Sequence, residues 1–321
     1  METPSIIAFN RMALTHIIIV NYNAGDWLQR SLSSACQFSA GKISIVDNAS
    51  RDESVELASQ RYPQSERVQW VLNSDNVGFA AANNQVIPKV ETEFLVLMNP
   101  DCEINQQTLD LILAEFANHP KMGIASCKIL NSDGSIQLSC KRKFPTPWSA
   151  LSRMLFLYKL FPGSSTLANF DYGDFDDSDQ VDSSLTAGSE SVGSKVEFIE
   201  AISGAFMVVR CAAIKDVGLL DEDYFMHCED LDWCKRFSLA GWQVGFIPAA
   251  TVTHAKGVSS ATRPIAVLWT LHKGMWRFFD KFYHDQHSFL LRAFVKLGIG
   301  VSFIVRSLTA LLRRIFIRRQ G

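Results

Sequence analysis

The chain has 321 residues, of which 47% are hydrophobic and 20% charged, and its formal net charge is −2. That length allows one large core or two smaller ones, and that balance excludes a global electrostatic bias toward nucleic acid. Seven cysteines without a C-x-x-C pair, and no cleavable signal peptide at the start, read as reduced thiols in a cytoplasmic protein.

His16–Val20 is a β-branched run that gives way to Asn21-Tyr22-Asn23, a buried strand ending in hydrogen-bonding side chains. Asp26 is placed to cap a helix with Trp27, Leu28, Leu32 and Ala35 on one face. Ile43–Val46 is the next strand and delivers Asp47 and Asn48; Ser50–Glu53 then has capping-box spacing before a helix holding Val55, Leu57 and Ala58. Val68–Leu72 is a third strand, followed by Asn73, Asn76, Gly78 and a small-residue helix start, GFAAANN. Phe94–Met98 is apolar throughout and too short for a typical helix. Pro100 lacks a backbone N–H and disfavours helix at the residue before it, so this fourth strand ends with Asn99 and Asp101 at its carboxyl edge. A helix over Thr108–Asn118 and a strand over Gly123–Lys128 follow.

Strands and helices alternating at this spacing predict βαβ crossovers and an α/β fold with a mostly parallel sheet flanked by helices. Asn21, Asp47, Asn76 and Asp101 recur at the same end of successive strands, where open α/β sheets bind ligands. No G-x-G-x-x-G follows the first strand, so a bound diphosphate would lack a glycine-rich cradle and a cation would have to serve. A carboxylate on a rigid turn, such as Asp101, can hold that cation.

Farther on, Asn131–Gly134 reads as a hairpin turn. Lys141, Arg142 and Lys143 precede a Pro- and aromatic-rich passage, Phe144–Pro162, and then an acidic, Ser- and Gly-rich surface insertion, Asp171–Ser194. Strands over Val196–Ile199 and Ala205–Val209 flank Ser203-Gly204. Tyr224, Phe225 and Met226 form a buried run leading into Glu229 and Asp230, with Leu231, Trp233, Phe237 and Leu239 marking a helix. Capping against the helix dipole explains one acid there, and less well two. Gly241–Ile247 and Ala249–Thr253 read as two short strands, the second ending at His254 before Lys256, Gly257, Ser259 and Ser260, a polar loop suited to closing over an anionic ligand. No G-x-S-x-G elbow appears, which weighs against Ser-His-Asp hydrolysis.

The pieces IIIVNYN, IVDNASRDES, NSDNVGFAAANN, VLMNPDCEI, ISGAFMVVR, GLLDEDYFMHCEDLDWCKR and GWQVGFIPAATVTHAKGVSS, in this order over Thr15–Ser260, resemble the inverting glycosyltransferases of family two and, within them, the bacterial rhamnosyltransferase-like branch. The resemblance implies a GT-A (Rossmann-like) fold and transfer of a sugar from a nucleoside-diphosphate sugar, dTDP-rhamnose or a UDP-sugar, to a saccharide acceptor in cell-surface polysaccharide synthesis. By motif, Asn21, Asn23 and Asp47 would line the nucleotide pocket, with Asp47 accepting from a pyrimidine base N–H, while Asn76, Gly78 and Asn83 would lie near the ribose and diphosphate. Asn99-Pro100-Asp101 stands where the family usually has DXD, which leaves Asn99 beside the donor and Asp101 as the carboxylate for Mg²⁺ or Mn²⁺, with His254 as a further ligand. Asp230 would be the general base and Glu229 would orient it or the acceptor. The chemistry agrees: departure of a nucleoside diphosphate needs its charge neutralised, and the acceptor hydroxyl needs a base.

From Trp269 the composition changes. Phe289–Arg319 carries Arg292, Lys296, Arg306, Arg313, Arg314, Arg318 and Arg319 among apolar residues and no acid. No segment offers about 18 consecutive apolar residues, so these amphipathic helices are expected to lie in an anionic membrane surface, where a polyprenyl-diphosphate-linked acceptor would be met. The expected division is a catalytic domain over 1–265, with the insertion at 170–195, and a basic, membrane-interfacial helical region over 266–321, on the inner face of the plasma membrane. A rival reading is a membrane-associated binding or scaffold protein that keeps the sheet without catalysis, supported by Asn99 in place of an acid.

Overall fold

The computed structural model describes residues 15–146, 196–255 and 264–320, with side chains over 265–312 in the last segment. The acidic insertion, most of the aromatic passage before it and the loop after His254 lie outside the described residues. In chain order the elements are β1 (Thr15–Asn21), α1 (Asp26–Phe38), β2 (Lys42–Asp47), α2 (Ser54–Arg61), β3 (Val68–Leu72), α3 (Phe79–Asn84), β4 (Phe94–Met98), β5 (Cys102–Ile104), α4 (Thr108–Asn118) and β6 (Met122–Leu130). There follow β7 (Lys141–Arg142), β8 (Glu197–Ile199), β9 (Ala201–Ile202), β10 (Phe206–Arg210), α5 (Cys211–Val217), α6 (Glu229–Leu239), β11 (Gln243–His254), α7 (Pro264–Tyr283) and α8 (Phe289–Gln320).

The central sheet runs β3-β2-β1-β4-β10-β6-β11-β5, with β8 also paired to β11. From β3 to β4 every pairing is parallel, as the alternating pattern predicts. Beyond β4 the sheet is mixed: β10 enters antiparallel between β4 and β6, and β11 is parallel to β6 but antiparallel to β5. All residues of β1 and β4 are buried, because helices cover both faces, and such strands read as unbroken apolar runs. One face, with Ile17, Ile19 and Val96, packs on α1 and α4. The other, with Ile18, Leu95 and Leu97, shares a core with α3, α6 and Phe278 of α7.

Local details depart from the expected ones. Asp26 is the first helical residue and Gly25 the cap; the Gly25 N–H is taken by Asp52 Oδ2 at 2.8 Å. The capping-box spacing at Ser50 is not used, since α2 starts only at Ser54 and Ser50 turns back to Asp47. The two strands expected after Gly241 are one, β11, whose register shifts between Ile247 and Thr251; Pro248 lies in that stretch, and a proline cannot donate to a ladder. Finally, Phe289–Leu312 is by length and composition long and apolar enough to cross a membrane. Counting unbroken apolar runs missed this because single cations divide the segment.

Candidate active site

The parallel half of the sheet sets Asn21 and Asp47 side by side at the carboxyl ends of β1 and β2. Asn21 is fully buried, and its Nδ2 donates to Asp47 Oδ1 at 2.8 Å and Ser54 Oγ at 2.9 Å. The Ser50 N–H donates to Asp47 Oδ2 at 2.9 Å, and that oxygen keeps a lone pair for a further donor. Asn23, left-handed at φ 51°, accepts from the Arg51 N–H at 2.7 Å. One strand over, Asn76 Oδ1 accepts from the Gly78 N–H at 3.0 Å, a side-chain turn that shapes the loop. Gly78 has φ 90°, and a Cβ there would stand 2.5 Å from the Phe225 carbonyl oxygen, so the position requires glycine. Asn83, fully buried within α3, donates to the Phe79 carbonyl at 2.9 Å. Asn21 and Asn83 therefore act on this edge from beneath it. Asn48, which the sequence marks only as following Asp47 at the strand end, has a role of its own: its Nδ2 donates to the Gly78 carbonyl at 3.1 Å and its Oδ1 accepts from Asn73 at 3.0 Å, tying the loops together.

At the end of β4 the chain turns through Asn99-Pro100-Asp101 directly into β5, which pairs antiparallel with β11 so that Cys102 lies opposite His254. That pairing brings Asp101 Oδ1 to 3.1 Å from His254 Nε2. Gln137 Nε2 donates to the His254 carbonyl at 2.8 Å, so Gln137 Oε1, 3.1 Å from His254 Nδ1, is the acceptor there. Nδ1 thus donates to Gln137 and Nε2 is the ring nitrogen turned to Asp101, so with a cation between them Nε2 would offer its lone pair beside the carboxylate. Adjacent ligands of an octahedral ion at about 2.1 Å stand about 3.0 Å apart, so the pair fits Mg²⁺ or Mn²⁺. Cys102 is the third potential donor, within 4.8 Å of both. Its Sγ instead donates to the Ala205 carbonyl at 3.3 Å, and burial, with the Asp101 charge second, pushes its pKa well above the usual range. A soft sulfur committed to that carbonyl is the weakest match of the three for a hard cation such as Mg²⁺ or Mn²⁺. Asn99 serves the turn through its backbone: its N–H donates to the Ala205 carbonyl at 2.9 Å and its carbonyl accepts from the Cys102 N–H at 3.1 Å.

Ala205 also leads to the acidic pair. The N–H of its neighbour Gly204 donates to Asp230 Oδ2 at 2.9 Å, so the turn holding Asp101 and the Asp230 carboxylate rest on adjacent residues. Arg142 pairs with the same oxygen and donates to the Ile202 carbonyl at 2.9 Å. The sequence offered only a run of three basic residues as a signal for it. Glu229 is buried, and burial, with the Asp230 charge second, pushes its pKa up to about 8. Burial thus favours the protonated carboxyl, a form able to donate a hydrogen bond beside the ion-paired Asp230.

Residues 16–163 match the model of glycosyl transferase family 2. That stretch is a glycosyl transferase family 2 domain. This glycosyltransferase is 26% identical over 304 residues to the N-acetylglucosaminyl-diphospho-decaprenol L-rhamnosyltransferase of Mycobacterium tuberculosis, covering 91% of each chain. It is 23% identical over 249 residues to the rhamnosyltransferase WbbL of Escherichia coli, covering 75% of this chain and 83% of that one. Among solved structures it is similar to GalNAc-T7, a complex with UDP, GalNAc and Mn²⁺, at TM-score 0.55 and 14% identity over 83% of this chain and 47% of that one. A structure of Staphylococcus aureus TarS aligns at TM-score 0.50 and 13% identity, covering 89% and 70%. These likenesses establish the GT-A fold, so the sequence reading of the fold class holds.

Proposed function

We propose that the glycosyltransferase moves a sugar, with inversion, from a nucleoside-diphosphate donor to a saccharide carried on a polyprenyl diphosphate, in the assembly of a cell-surface polysaccharide. The Asp101–His254 pair at 3.1 Å, tied through Ala205 and Gly204 to Asp230, is the observation that carries this reading. A Mg²⁺ or Mn²⁺ ion on Asp101 and His254 would neutralise the charge that collects on the departing diphosphate. Asp230 takes the proton of the acceptor hydroxyl as that oxygen attacks the anomeric carbon and the bond to the diphosphate breaks. Glu229, protonated at neutral pH, donates a hydrogen bond that orients the acceptor. Asp47 Oδ2 accepts from the base: uracil and thymine carry an N3–H where cytosine carries an acceptor, which favours a UDP- or dTDP-sugar. Asn76, Gly78 and Asn99 shape the path of the diphosphate, while Asn21, Asn23 and Asn83 hold the loops around it. The relatives named for rhamnosyl transfer lean the choice toward dTDP-rhamnose.

The decisive variant is Asp230→Asn. It should still bind dTDP or UDP in the presence of Mn²⁺, while transfer falls by roughly 10²–10⁴-fold, the usual worth of a positioned base. Undiminished transfer, or donor binding lost in step with it, would remove Asp230 from the role.

The lipid-linked acceptor accords with the C-terminal region, for which we retain the division 1–265 and 266–321. Leu290, Phe294, Leu297, Val301, Leu308 and Leu312 are exposed and recur at spacings of three, four or seven, one stripe of α8. At about 100° per residue, Arg292, Lys296 and Arg306 fall on the opposite arc. A helix crossing the bilayer would draw those cations through hydrocarbon, whereas one lying in the interface keeps them in water. On this reading the enzyme works at the cytoplasmic face of the plasma membrane. High salt should release part of it from washed membranes, and a chain ending after Tyr283 should no longer sediment with them; unchanged sedimentation of that truncation would discard the membrane role.

A further inference from the structure

Glu229 and Asp230 stand at the end of the loop after α5, and α7 grips that loop at three points the reaction above does not use. His227 and Cys228, immediately before the acids, are both left-handed, at φ 73° and 71°. Such conformations in residues with a Cβ persist only where their surroundings fix them. Gly274 of α7 lies against this turn: a Cβ there would stand 2.9 Å from the His227 carbonyl oxygen and 3.2 Å from Cys228 Cβ. Three residues on, Arg277 Nη2 reaches both carboxylate oxygens of Asp221 at 2.9 Å and Asp223 Oδ2 at 2.6 Å. Its guanidinium also covers the Tyr224 ring, 5.3 Å from the centroid. One further turn along, Lys281 Nζ pairs with Asp221 Oδ2 and with Asp232 Oδ2, both at 2.7 Å. Asp232 has no exposed surface and, among the described residues, its other cation is Arg236, at 2.6 Å.

Gly274, Arg277 and Lys281 share one helix face, and their partners bracket the acids: Asp221 early in the loop, His227–Cys228 at its end, Asp232 in the first turn of α6. Between the grips, the Phe225 carbonyl accepts from the Phe79 N–H at 2.8 Å, which ties the loop to the donor side. We propose that Gly274, Arg277 and Lys281 are positioning residues that clamp residues 221–228, holding Glu229 and Asp230 toward the acceptor, so that turnover depends on the seating of α7. The proposal rests on reading Asp230 as the base.

The test uses the full-length enzyme as wild type, Arg277→Gln, Arg277→Lys and Gly274→Ala. Amide hydrogen exchange over 219–232 is measured beside turnover of dTDP-rhamnose with N-acetylglucosaminyl-diphospho-polyprenol and binding of dTDP with Mn²⁺. Arg277→Gln should speed exchange in the loop about tenfold and lower kcat roughly 10–100-fold, with dTDP affinity within about twofold; Arg277→Lys should recover part of the loss, because it keeps the charge without the fork. Unchanged exchange, unchanged kcat per folded molecule, or dTDP affinity falling in parallel with kcat would each overturn the clamp. If Gly274→Ala does not fold, the two Arg277 variants decide alone. If wild type transfers no sugar between these probes, the functional reading fails for them, while exchange still decides the clamp.

Discussion

At the edge read as the donor side, Asn21, Asp47, Ser50 and Ser54 hydrogen-bond to one another through the ends of β1 and β2 and the start of α2. On the base side, Asp230 is held by Arg142, 88 positions away, and Asp101 is completed by His254 from the last strand of the sheet. The first arrangement forms once two neighbouring parallel strands pair. The second exists only when β10 has entered between β4 and β6 and β11 has closed onto β5. On the proposed reading, donor recognition would be built into the local fold, whereas the reacting centre would be assembled from distant parts. The two regions meet where Phe79 bonds to Phe225 across Gly78.

Three changes would break or sharpen that contrast. The largest effect belongs to Asp101→Ala. Losing the carboxylate should cost about 10³-fold in transfer and abolish the Mn²⁺ dependence of dTDP or UDP binding in calorimetry; metal-dependent binding that survives would place the cation elsewhere. Gly78→Ala comes next, because it sits at the junction. A methyl 2.5 Å from the Phe225 carbonyl, on a backbone at φ 90°, should lower unfolding stability by about 1–3 kcal/mol, with donor KM rising and kcat falling together in steady-state kinetics. If only KM moved, the halves would be independent.

The smallest effect is that of Glu229→Gln. Folded Glu229 keeps its proton up to about pH 8, against an ordinary value of 4.5. The folded state thus binds more protons than the unfolded one between those values, and wild-type stability falls as pH rises through that window. The amide has nothing to ionise, so the variant should escape this fall and be the more stable protein above pH 8, with transfer near wild type at pH 6–7. Parallel urea midpoints for both proteins across pH 5–9 would show that Glu229 is ionised throughout.

Much of this was legible in advance, and the reasons are local. Five unbroken apolar residues flanked by Asn and Pro can only be a short buried strand, and β4 is that strand, at Phe94–Met98. Its Asp101 emerges at the carboxyl edge as expected and meets His254. Finer local readings failed where a side chain found a better partner: Ser50 has a capping spacing but bonds to Asp47. Arg142, Asn48 and the grip of α7 left little trace, because one basic or amide residue looks like another until a distant segment arrives to meet it.

The sequence by itself determined the alternation of strands and helices, the polar residues at the strand ends and the cationic, acid-free last helix, since hydrophobic period and backbone chemistry act over a few residues. Only the tertiary structure decided that β10 runs antiparallel to β4, that Asp101 and His254 stand 3.1 Å apart, and that Arg142 and α7 hold the acidic turn. Those are pairings between segments far apart in the chain, fixed by how the whole sheet and its covering helices bury their apolar faces together.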